Sequence, residues 1–446
     1  MNSKIVYIFS LLIKIFIFNL FLFARTFTGL SIFGYRLGEY FIAGALTLLI
    51  IFTILIPIYK KKYLLDEKKL NFFIVLLVSS FLIINFLNNA SFTNEFIYKT
   101  SSYIWSFGGL IVGYYFLSDK LFKIYNEDFY LSLLGLFIIY IFSTRGISEN
   151  LQNFILNYTD KFEYPKGSDI LLAFIFIFYI FLTKKQFSQS SLNLLLIFGA
   201  LYSPLLMVKS RSAFISFLLF SLLALPEFRK NIFKLNKFFY ATIILSLFVF
   251  ILSTSWVVSR DIQIDEDISN DLKFAITSRY STINDNVYEE EVLKLNLFYF
   301  EDGRIFSADG NLNWRLQIWQ DIFIDMAEAN NLFFGYGYDD IIPAMDSDQR
   351  YGQDGQNINV HNYLMHILSR GGLLHIFLCF MIYFLLFKKF QSNNIIQDYM
   401  LIIIPLIFNS LFDPSMENAH YPIIIFLMIG LALNNRIIQK GEEITL

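Results

Sequence analysis

Long apolar runs parted by short polar links dominate the chain. They fall near residues 5–24, 39–59, 70–88, 101–118, 129–144, 168–183, 191–208, 212–226, 238–258, 372–388, 399–412 and 420–435. A run of about 20 apolar residues is long enough to cross the hydrocarbon of a bilayer as a helix. Only helices and closed barrels satisfy their backbone polar groups there. The runs lack the apolar–polar alternation of barrel strands. The pattern therefore predicts an all-α fold, a polytopic membrane bundle of about twelve transmembrane helices. One segment, about 259–360, interrupts the rhythm. It is polar, and acidic near its start from Asp261 to Glu291. Further on, Trp314, Ile318 and Ile322 recur at helical spacing, with Trp319 and Phe323 beside them. The expected layout is one integrated membrane domain: membrane helices over 1–258, a large helical outer loop over 259–360, and membrane helices over 361–446.

Composition agrees with this reading. The chain is 56% hydrophobic and 16% charged, where soluble proteins are about 25% charged. The basic residues set a direction. Lys60, Lys61, Lys62, Lys68 and Lys69 follow the second run. Later alternate links carry Lys120 and Lys123, Lys184 and Lys185, Arg229 to Lys237, and Lys388 and Lys389, and the C-terminal tail adds Arg436 and Lys440. All lie on one side if both termini are cytoplasmic, which places 259–360 on the opposite face. The first run reads as a retained span, because Ala24 is followed by Arg25 and no small-x-small cleavage site is present. Cys379 lies in an apolar run and is expected to serve packing. Charges inside spans mark ion or proton routes. Lys14 is the main such charge, which weighs against a proton-coupled transporter.

The unusual polar residues stand at the outer ends of the runs. Arg211, in Lys209-Ser210-Arg211-Ser212, opens a span where basic residues are normally scarce. By position it is a snorkelling anchor; by chemistry a guanidinium fork also suits phosphate oxygens. Arg145 has the same two readings. Arg315 and Trp319 are four apart and share a helix face, either as an interfacial helix or as part of a site. His361 and Asn362 stand where the outer segment returns to the membrane, as a polar helix start or as a hydrogen-bonding or basic group. A metal site is not expected, since His361 and His366 are five apart, roughly 140° around a helix, and no ligand joins them at metal spacing. Asp346-Ser347-Asp348 reads as a solvated loop, and the stretch to Asn357 lacks the glycine and terminal Glu of a calcium loop. Gly335-Tyr336-Gly337 marks a turn.

Taken in order, these pieces resemble the O-antigen ligase and O-antigen polymerase family of bacterial membrane glycosyltransferases. The order is Arg211 opening an outer-facing span, Arg315 with Trp319, Gly335-Tyr336-Gly337, then His361-Asn362 and Gly371-Gly372 before a span. The resemblance covers about residues 209–387. It implies the lipid-dependent glycosyltransferase class of helical fold and a metal-independent, inverting transfer without nucleotide or other cofactor. The implied donor is a glycan on undecaprenyl diphosphate; the implied acceptor is lipid A-core or a second lipid-linked glycan. Membrane lipid is the remaining partner, with no nucleic acid. The implied place is the periplasmic face of a bacterial inner membrane. Carried over by motif, Arg211 and Arg315 bind the diphosphate and His361 acts at the acceptor hydroxyl, with Trp319, Asn362, Gly335 and Gly337 around the substrate. Glu417 and His420 receive no role. A ligase, a repeat-unit polymerase and a protein-glycosylating relative share these motifs. A flippase or transporter for the lipid-linked glycan is the alternative of another class.

Overall fold

The computed structural model describes residues 3–92, 94–117, 126–159, 162, 164–185, 189–232, 237–257, 298–301, 303–307, 310–346 and 358–443. The acidic stretch 261–291, the loop 347–357, and Lys120, Lys123 and Lys234 lie outside the described residues. Every expected run lies on helix. Among the described residues six helices are long and apolar enough to cross a membrane: Leu11–Thr28, Leu37–Lys60, Lys68–Leu87, Gln189–Lys209, Lys237–Val257 and Tyr363–Ser392. The pair Tyr130–Arg145 and Glu149–Leu156, bent by 101°, makes a seventh if counted as one span. The structure thus supports six or seven crossings on length and composition, not the twelve expected.

Four further apolar helices are not counted among the six: Gly167–Lys185, Arg211–Ile232, Ile396–Ser410 and His420–Glu443. Within the first of these, Ile170 to Phe174 are all under 2% exposed, so neighbouring helices, not lipid, cover them. A second expectation also changes. The outer segment is not purely helical: Phe298–Glu301 and Arg304–Ser307 form an antiparallel hairpin with Tyr299 opposite Phe306, closed by a turn in which Gly303 has φ +76°. The hairpin is fastened to the helix Gly310–Glu328 by Arg304, whose Nη2 donates to Asp321 at 2.7 Å, and by Gln320, whose Nε2 donates to the Ile305 carbonyl at 2.8 Å. Lys14 is not an isolated charge, because it pairs with Asp128 at 2.5 Å. Cys379 is buried in the bundle, in line with packing.

Close helix contact is set by glycine. A Cβ on Gly109 would stand 2.3 Å from the Ile423 carbonyl oxygen, one on Gly113 2.1 Å from that of Leu427, and one on Gly430 2.4 Å from that of Leu110. The stretch 102–116 and the helix His420–Glu443 therefore meet backbone to backbone, the small-residue packing that membrane bundles favour.

The Tyr363–Ser392 helix is broken. Gly372 has φ 66° and ψ −167°, which interrupts the intrahelical ladder. The outer segment supplies the missing partners. Leu373 and Leu374 donate their N–H groups to the carbonyls of Leu332 and Phe333 at 2.9 and 3.2 Å. The carbonyls of Ser369 and Arg370 accept from Tyr336 and Gly337 at 2.7 and 3.1 Å. Gly335 and Gly337, both at positive φ, make the approach possible, since a Cβ on Gly335 would lie 2.5 Å from the Arg370 carbonyl. The links assigned to the outer face gather at this end: Asn88 and Asn94 donate to the Tyr336 and Asp339 carbonyls, Thr100 to that of Tyr338, and Ser102 to that of Met416.

Gly113→Leu is expected to destabilise the bundle by on the order of 3 kcal/mol through overpacking, whereas Gly44→Ala, where a Cβ meets nothing within 4 Å, is expected to be neutral or mildly stabilising. Melting of the detergent-purified proteins checks both, and equal melting of the two variants would contradict the packing account.

Candidate functional site

The site is assembled where the outer segment re-enters the bundle. The Gly310–Glu328 helix turns Ile318, Ile322 and Met326 onto Ile342, Met345, Val360 and Leu368, forming a small second core. That core holds the strap 358–362 in place. Trp319 donates its indole N–H to the Val360 carbonyl at 2.8 Å. Trp314 sets its ring edge-on to the His361 imidazole, with centroids 5.1 Å apart. His361 itself has φ 52°, uncommon for a residue with a side chain. Asn362 caps the next helix, accepting from the N–H groups of Leu364 and Met365 at 2.9 and 3.1 Å.

His361 is the centre of a charged cluster. Burial lowers its pKa from 6.5 to about 3, helped by the neighbouring cations Arg315, Lys166 and Arg25. The imidazole is therefore neutral at physiological pH and can accept a proton. Asp413 faces the same group of cations. Burial raises its pKa, as does Asp169, while Arg25, Lys166 and Arg315 oppose the rise. Asp169 and His420 form a buried pair at 2.8 Å. Nearby, Glu417 is pushed up to about 7 by burial and stands 3.6 Å from His366, whose other ring nitrogen donates to the Thr100 carbonyl at 2.7 Å.

Of the residues expected from sequence, the structure brings Arg315 and His361 together. The residue before Arg211, Ser210, packs on Gly167, where a Cβ would lie 2.6 Å from the Ser210 Cβ. The Arg211 side chain is exposed. Trp319 and Asn362 are positioning residues in this geometry, one holding the strap, the other starting the helix. Gly335 and Gly337 pack against the Arg370–Gly372 break, with Arg370 donating to the Gly337 and Asp340 carbonyls at 3.1 and 2.5 Å. Arg145 lies over the Trp256 ring at 4.6 Å. His375 is buried, its ring nitrogens bonded to Ser80 and to Tyr103 and Tyr338 at 2.7 to 2.8 Å.

Arg25, Lys166, Asp169, Asp413, Glu417 and His420 were not legible as site residues. A partial signal existed. Arg25 and Lys166 are basic residues at outer ends of runs, the same anomaly that singled out Arg211. No curated protein matches the chain. Residues 195–381 match the family model described as O-antigen ligase. That stretch contains Arg211, Arg315, His361 and the helix break at Gly372, and it nearly coincides with the region the motifs marked out, so this part of the chain is similar to the O-antigen ligase family.

Proposed function

We propose that the protein is a metal-independent glycosyltransferase that moves a glycan from undecaprenyl diphosphate to a sugar hydroxyl of lipid A-core, on the periplasmic face of a bacterial inner membrane with both termini cytoplasmic. The observation that carries this reading is His361, set edge-on against the Trp314 ring of the helix that also carries Arg315, with its pKa pushed down by burial and by that guanidinium. A neutral imidazole is the form that takes a proton, and a guanidinium is the group suited to receive a leaving diphosphate. In the proposed step the acceptor hydroxyl oxygen attacks the anomeric carbon, and its proton passes to His361. The bond from that carbon to the diphosphate oxygen breaks on the opposite face, and its electron pair leaves with the lipid diphosphate. A single displacement of this kind inverts the anomeric centre. Charge grows on the departing phosphate, where fixed cations stabilise it more than in the ground state. Arg211, at the exposed start of its helix, is assigned the outer part of the diphosphate. Twelve membrane crossings belong to this proposal, with the bent pair, the four further apolar helices and the helical stretch 102–116 each counted as a span.

A repeat-unit polymerase would use the same groups with a second lipid-linked glycan as acceptor. Gene deletion separates the two: lost ligation leaves long glycan on the carrier lipid, while lost polymerisation leaves a single repeat on the core.

Transfer by purified protein from lipid-linked glycan to core acceptor is expected to fall about 10²–10³-fold in Arg315→Ala and about 10²–10⁴-fold in His361→Ala, with melting near that of the unaltered protein. Arg211→Lys is expected to raise KM more than it lowers kcat, because an ammonium lacks the fork. Full transfer by well-folded Arg315→Ala or His361→Ala would refute the assignment.

The pH profile offers a second check. A His with a depressed pKa stays neutral well below its ordinary 6.5. No loss of kcat/KM with a midpoint near 6.5 is therefore expected from His361 as pH falls. Such a loss, persisting in Glu417→Gln, would mean that His361 titrates as a free imidazole.

A further inference from the structure

Two small elements at the outward end of the bundle expose more apolar surface than water favours. The first is the hairpin of Ser31–Ile32 and Tyr35–Arg36, which joins the first helix to the second. Its two turn residues, Phe33 and Gly34, have φ 53° and 85°. Such a turn favours Asn-Gly or Asp-Gly, because both central positions need positive φ. Phe33 stands in place of the polar residue, in a conformation unusual for a bulky side chain, and is 95% exposed at the tip. Ile32, Tyr35 and Tyr40 are exposed beside it. The Tyr40 hydroxyl donates to the Ile32 carbonyl at 3.0 Å, and its ring meets that of Tyr35 edge-on with centroids 6.1 Å apart.

The second element is the helix Glu149–Leu156. The helix before it ends at Arg145, Gly146 follows with φ 77°, and the Ser148 side chain starts the next helix by accepting from the Leu151 N–H at 3.4 Å. The two helices are bent by 101° from one another. Spans tilt by about 20° from the bilayer normal, so a helix bent this far from one lies near the membrane plane. Leu151, Phe154 and Ile155 share one face at helical spacing. Tyr158, in the turn beyond, packs its ring on that of Phe154 with centroids 5.3 Å apart. Glu149, Asn150, Gln152 and Asn153 form the other face, and Leu156 departs from the pattern. An amphipathic helix of a soluble protein turns its apolar face to the core. No residue of this helix is buried, and Phe154 and Tyr158 are 58% and 56% exposed.

Backbone bonds make the two elements one unit. The Ser31 N–H donates to the Tyr158 carbonyl at 2.9 Å, and Leu30 bridges Thr159. The chain leaving the unit is held to the bend, where the Ile147 N–H donates to the Tyr164 hydroxyl at 3.3 Å. It then enters the helix Gly167–Lys185, whose Asp169 pairs with His420 at 2.8 Å.

We propose that the tip of this hairpin and the apolar face of Glu149–Leu156 are inserted into the membrane leaflet at this end of the bundle, just beneath the lipid headgroups. Three observations favour lipid over a protein partner. The unit hangs directly from the ends of three apolar helices, at Thr28, Leu37 and Arg145, which places it at headgroup depth. Its own helix runs along the membrane, not across it. Its apolar residues are flanked by Tyr35, Tyr40 and Tyr158, and tyrosine collects at the membrane interface. Because the unit is bonded to itself and continuous with the helix that carries Asp169, its insertion fixes the depth at which this end of the bundle stands in the leaflet.

Fluorescence quenching in a bilayer tests the proposal. Cys379 is buried, so a thiol introduced at the surface takes the label. Phe33→Cys, Phe154→Cys and, on the polar face, Asn153→Cys each carry an environment-sensitive fluorophore on the full chain, in vesicles of phosphatidylethanolamine and phosphatidylglycerol. Spin-labelled lipids in both leaflets quench it, so the result does not depend on which way the protein faces. Phe33→Cys and Phe154→Cys are expected to be quenched more by a spin label high on the acyl chain than by one at its end, as burial by about 5–10 Å requires, and more than Asn153→Cys. All three side chains are exposed, so the variants are expected to melt like the unaltered protein. Quenching of Phe33→Cys or Phe154→Cys no stronger than that of Asn153→Cys would overturn the proposal. Disulfide-linked dimers of unlabelled Phe154→Cys in dilute vesicles would give the face to a second copy of the chain and overturn it as well.

Discussion

A membrane helix cannot be interrupted unless something supplies partners for the backbone groups it releases. In this protein the break is at Gly372, and the supplier is the outer segment at 332–337, which takes two N–H groups and two carbonyls of the broken helix. The outer segment is thereby a structural part of the bundle. Its helix, its strap and the residues on them are fixed relative to the membrane helices by backbone hydrogen bonds, which are insensitive to side-chain rotamers. The glycines at 335 and 372 are where they are because the two backbones meet there at distances that exclude a Cβ, and at Gly337 a Cβ would meet the Asn88 side chain.

That anchoring has a consequence for chemistry. Arg315 and His361 arrive from the outer helix and the strap, Arg25 and Lys166 from the ends of membrane helices, and Asp413 from the link before the last helix. Five separated segments contribute to one cluster. Burial there lowers the pKa of His361 and raises that of Asp413. An arrangement of permanent cations around a neutral base is what diphosphate departure coupled to proton acceptance calls for.

Much of the fold was legible in the pattern of apolar runs, because the bilayer imposes a length and a polarity on anything that crosses it. The described residues of each run are helical, with 102–116 divided into three short pieces. What the pattern does not distinguish is a helix that meets lipid from one enclosed by its neighbours. The Gly167–Lys185 helix is as apolar as its neighbours, yet it is enclosed by them, and hydropathy does not separate apolar surface facing lipid from apolar surface facing protein. The hairpin at 298–307 was missed because its two strands are four residues each and follow no long alternation. The site was half visible. His361, Arg315 and Arg211 announce themselves by standing in an unusual place in a recognisable order. Asn362, Trp319, Gly335 and Gly337 belong to the same order, but their atoms are spent on a helix cap, a carbonyl and a close backbone approach.

The sequence by itself determined that the chain is a helical membrane protein, which links are basic, and which ordered motif it carries, because these depend on local composition and spacing alone. Only the tertiary structure decided that Arg25, Lys166 and Asp413 join Arg315 and His361, that Asp169 pairs with His420, and that the Gly335–Gly337 turn mends the broken helix. Those are electrostatic relations between segments as far apart as residues 25 and 413, and their energies depend on burial and on distances that no local pattern encodes.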